Sequence, residues 1–129
     1  MPEKIPSHQA YEGSSARFAC VLVDEVDVPV DSDRIETLTV TLYSLDNKTF
    51  PVINGRNATD VLGDNGGVLS TGGSFYWQMT AADNVILNQS LSEERHMLRI
   101  DFTYDNGDGV GVSFQKIIVT NTPTVTPDE

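Results

Sequence analysis

The chain has 129 residues, 39% of them hydrophobic, and its 8 Lys and Arg against 19 Asp and Glu give a formal charge of −11. A chain this long forms one domain that buries roughly two thirds of the surface exposed by its unfolded form, and its single cysteine, Cys20, excludes an intrachain disulfide. The charge has the wrong sign for phosphate backbones or an anionic membrane surface, so neither nucleic acid nor membrane is expected as a partner.

Residues 1–13 read as a polar N-terminal arm containing Pro2 and Pro6, with no apolar signal core, so export by a secretory signal is not expected. A first strand is predicted near Ala16–Val23, and Cys20 within it reads as a small buried hydrophobe. The acidic loop from Asp24 to Asp33 follows, then a strand over Glu36–Tyr43 with Leu38, Val40 and Leu42 inward. Asp46-Asn47-Lys48 is a turn cluster leading to Thr49–Ile53, where Pro51 lacks a ladder donor and points to an edge strand or a bulge. Asn54 to Gly67 holds four glycines and reads as a long loop that could carry function.

Val68-Leu69-Ser70, the turn Thr71-Gly72-Gly73 and Ser74–Met79 predict a hairpin with Phe75, Trp77 and Met79 on one face. Thr80 and Asp83 have capping-box spacing and predict a short helix running through Val85, Ile86 and Leu87. Met97–Tyr104 and Val110–Phe114 flank Asp105-Asn106-Gly107-Asp108-Gly109 and predict a second hairpin, with Leu98, Ile100, Phe102 and Tyr104 inward. The set Val110, Val112 and Phe114 reads as inward too, which requires a β-bulge at Gln115-Lys116 to keep Ile117 and Val119 on the same face. Thr122–Pro127 cannot be helical. The expected organisation is a 1–13 arm, a 14–121 domain and a 122–129 arm. The fold expected for the domain is an all-β, immunoglobulin-like antiparallel sandwich of about seven strands with one short helix.

Catalytic patterns fail individually. His8 lies in the polar arm and His96 begins a strand, so neither serves a Ser/His/acid triad, and His96 reads as a surface or hydrogen-bonding residue. Gly13-Ser14-Ser15 and Gly73-Ser74 lack the nucleophile-elbow pattern. Asp24, Glu25, Asp27, Asp31 and Asp33, like Asp105, Asn106 and Asp108, offer oxygens but not the spacing of a calcium loop. Asp101 has no evident carboxylate partner for glycoside hydrolysis. The sequons at Asn57 and Asn88 read as coincidental without a secretory signal. No catalytic, cofactor-binding or metal residue is assigned, and no cofactor is expected.

The stretches Arg17–Leu22 with its acidic loop, Leu38–Tyr43, Phe75–Asn84 and Leu98–Gly107 together resemble the small immunoglobulin-like domains of tailed-phage virion proteins, including the N-terminal module of the upper baseplate family. The resemblance spans roughly Ser14 to Asn121, without the receptor-binding or trimerising part of the baseplate proteins. It implies a non-enzymatic virion component, made in the bacterial cytoplasm, that docks through its arms and loops on capsid or neck proteins and could form a symmetric oligomer. A tail or baseplate adaptor is the alternative, as is a carbohydrate or host-surface module presenting Tyr76, Trp77 or Tyr104; of these, alternation puts Trp77 and Tyr104 in the core.

Overall fold

The computed structural model describes residues 7–47, 49–87 and 92–120. Among these residues eight strands form two sheets: β1 (Ser7–Tyr11), β2 (Ala16–Val21), β3 (Ile35–Ser44), β4 (Thr59–Asp60), β5 (Gly67–Leu69), β6 (Ser74–Met79), β7 (Glu93–Tyr104) and β8 (Gly109–Thr120). One sheet runs β1-β8-β7-β3-β4 and the other β2-β6-β5. Every pairing is antiparallel except β1 with β8. This is the expected immunoglobulin-like β-sandwich, and its inner faces meet over Leu38, Val40, Leu42, Phe75, Trp77, Leu98 and Ile100, all fully buried.

The structure departs from the sequence expectations at four places. Within the stretch expected as an arm, residues 7–11 form a sheet strand, with Ser7 opposite Lys116 and Tyr11 opposite Thr120. Its inward positions are His8 and Ala10, which give too weak an apolar alternation to announce a strand. His8 lies edge-on to Phe18 at 4.7 Å between centroids and donates from Nε2 to Gln115 Oε1 at 3.0 Å.

The second correction concerns β8. Its ladder with β7 runs unbroken from Glu93–Thr120 to Tyr104–Gly109, with no bulge at Gln115-Lys116. Val110, Val112 and Phe114 therefore point outward and are exposed, whereas Gln115, Ile117 and Val119 are buried on the same inward phase as Gly111. Volume decides the phase, because a Cβ on Gly111 would enter the Phe102 ring and one on Gly109 the Tyr104 ring. The register irregularity lies instead in β3, between Ile35 and Thr37.

Third, the helix after Thr80 is a single 3-10 turn, Ala81–Asn84, and does not reach Leu87. Its cap holds: the Asp83 carboxylate accepts from Thr80 N at 2.7 Å and Thr80 Oγ1 at 3.1 Å. Fourth, Thr49–Ile53 makes no full strand, only a bridge between Val52 and Tyr43. The expected hairpin across Thr71–Gly73 forms between β5 and β6. The 122–129 arm and the Asn88 sequon lie outside the described residues.

Candidate functional site

Strand alternation places Thr41 and Tyr43 of β3 and Arg99 and Asp101 of β7 on the outer face of the five-stranded sheet, with Thr41 opposite Arg99. The segment 49–58 folds along the β3 edge. Ile53 N donates to Leu42 O, and Leu42 N to Arg56 O, each at 2.8 Å. Between that segment and the sheet lies an open groove of about 520 Å³, lined by Tyr43, Phe50, Val52, Asn57, Arg99 and Asp101 among others. Arg99 Nε donates to both Asp101 oxygens at 3.1 and 3.0 Å. Its guanidinium carbon also sits 5.8 Å from the Phe114 ring centre, so Arg99 joins the groove to the apolar row on β8.

The groove-side segment is held from beneath. Arg56 and Asn54 donate to the fully buried Asp83 carboxylate, Arg56 Nε at 2.8 Å and Asn54 Nδ2 at 3.0 Å. Arg56 also lies 5.4 Å over Trp77. Burial drives the Asp83 pKa upward, but the hydrogen bonds from Arg56, Asn54 and Thr80 N outweigh it and hold the carboxyl below its ordinary value. Phe50 and Ala58 adopt φ of 47° and 49°, an uncommon region for residues with a side chain. Each is pinned: Phe50 N donates to Asn47 O at 3.0 Å, and Ala58 N to Thr41 Oγ1 at 2.9 Å.

Of the residues singled out from sequence, Asp101 and Asn57 line this groove; the others lie elsewhere. Asp24 Oδ1 accepts from Val26 N and Val28 N, and Asp31 Oδ1 from Ser32 N and Gly72 N, so these carboxylates fold the acidic loop. Glu25 accepts from Tyr104 Oη at 2.6 Å, which pushes the phenol up to about 12 and holds the carboxyl low. Asp105 is paired with Arg34 at 2.6 Å. His96 is fully buried and bonds through Nε2 to Glu94 Oε1 at 2.7 Å, a hydrogen-bonding strand residue. Trp77 and Tyr104 are buried in the core, and Tyr76 is exposed on the other sheet. Half-buried Cys20 packs against the core, and burial pushes its thiol up to about 12. Among the described residues no group of His, Cys, Asp and Glu is arranged to hold a metal ion.

Sequence reasoning missed Tyr43, Phe50 and Arg99. An apolar ring beside Pro51 in an edge segment was the one local signal, since the three residues come together only through strand pairing.

No protein-family model and no curated protein matches the chain. Among solved structures it is similar to a chain from the structure of a family 123 glycoside hydrolase from Clostridium perfringens, with 12% identity and a TM-score of 0.37. The match covers 90% of this chain and 23% of that one, so it corresponds to less than a quarter of that protein's length. A likeness of this size says nothing about activity or substrate. No helix among the described residues is long and apolar enough to cross a membrane.

Proposed function

We propose that this chain is a non-enzymatic structural module of a tailed-phage virion, made in the host cytoplasm, that adheres to a basic surface of the capsid or neck through the outer face of β8. The observation that carries the reading is the inversion along that strand: Val110, Val112 and Phe114 stand outward at 70%, 45% and 39% exposure. Contiguous exposed apolar surface is a mark of a contact site. The charge of −11 favours a basic partner and repels a second acidic copy. With residues 7–11 forming a sheet strand, docking is assigned to this face and not to the N-terminal arm.

Immunogold labelling of virus particles purified from the source cells, using antibodies against the isolated domain, tests the reading. Label on the capsid or neck is expected. Label at the tail tip would transfer the module to the baseplate, and protein found only in the soluble fraction would contradict a virion role.

A further inference from the structure

We infer that the groove between β3, β7 and segment 49–58 binds a neutral saccharide, with the Phe50 ring against the sugar's C–H face and Arg99, Asp101 and Asn57 on its hydroxyls. The groove adjoins the β8 row through Arg99, but its other lining residues belong to β3, β7 and segment 49–58. Its volume of about 520 Å³ falls within the roughly 300–1,000 Å³ typical of small-ligand sites.

The chemistry narrows the occupant. Across the groove floor the β3–β7 ladder is continuous from Thr37–Thr103 to Ser44–His96, so no strand edge is offered to an extended peptide and recognition must come from side chains. An anion is disfavoured because Arg99 is already paired with Asp101 and the chain carries −11. Among the described lining residues a cation would find one carboxylate, Asp101, itself engaged by Arg99. A ligand that presents both apolar C–H surface and many hydroxyls matches the Phe50 ring and the polar groups of Asn57, Arg99 and Asp101 together. Asp101 accepts from such hydroxyls and the Asn57 amide both donates and accepts. Only the Nε of Arg99 is used by Asp101 among the described residues, which leaves its terminal nitrogens as donors.

The ring is also presented at a conformational cost. Phe50 is 55% exposed in left-handed backbone, and it meets Tyr43 edge-on at 6.4 Å. An exposed ring held in strained backbone is pre-organised for a partner.

The test is binding of the purified chain to an array of neutral and N-acetylated hexose oligomers, with acidic oligosaccharides alongside. Retention on a neutral series is expected, weakened about tenfold by Phe50→Ala, reduced by Asp101→Asn and unchanged by Tyr76→Ala on the opposite sheet. Amide shifts of the unmodified chain should move at Asn57 and Arg99 on titration with the retained oligomer, a readout that does not depend on any variant folding. No retention on neutral sugars, retention on acidic ones alone, or binding that survives both groove substitutions would overturn the inference. Labelling of virus particles would be untouched by such a failure, which separates it from failure of the docking reading.

Discussion

Asp83 remains a carboxylate at zero side-chain exposure because Arg56, Asn54 and Thr80 supply the hydrogen bonds that water would otherwise make. Its folded pKa lies below the ordinary value, so the stability it contributes is fully present above about pH 4, the unfolded carboxyl value. That stability is lost as pH falls through the folded pKa. Denaturant unfolding followed by Trp77 fluorescence should show this acid loss in the natural chain and a flatter pH response in Asp83→Asn. The same substitution should cost about 3 kcal/mol at neutral pH, since it leaves a mostly buried guanidinium without its counter-charge. At Asp24 and Asp31 the carboxylate oxygens instead accept backbone amides. A chelator should therefore leave the melting temperature unchanged, whereas a real calcium site at a hundredfold excess over its Kd would contribute about 2.7 kcal/mol.

Strands β7 and β8 show where alternation informs and where it misleads. Leu98, Ile100, Phe102 and Tyr104 were legible as core because large apolar residues alternate there with polar ones, and all four are buried. On β8 both phases carry apolar residues, and hydrophobicity alone picks the wrong one. Only the partner strand reveals that Phe102 and Tyr104 fill the space over Gly111 and Gly109. Phe102→Ala should cost about 3–5 kcal/mol through the cavity it opens. Gly111→Val should destabilise by at least about 1–3 kcal/mol through overpacking. Thermal unfolding of both variants checks the phase, and a neutral Gly111→Val would contradict it. The groove was not legible, because its residues lie on two strands and a loop whose proximity comes from pairing over more than forty positions, such as Thr41 with Arg99.

At the scale of the whole molecule, one sheet surface joins an apolar row on β8 to a polar and aromatic groove over β3 and β7, with Arg99 shared between them. The net charge of −11 should speed encounter with a basic partner at low salt, an effect that fades as screening shortens to ~8 Å at physiological ionic strength. The outer face of β8, on this proposal, is a contact surface and not a structural necessity. The most direct test is cosedimentation of the triple variant Val110→Thr, Val112→Thr, Phe114→Ser with purified virus particles, alongside its melting temperature. Melting within a few degrees of the natural chain and loss of particle retention are expected. Retention equal to that of the natural chain would contradict the proposal.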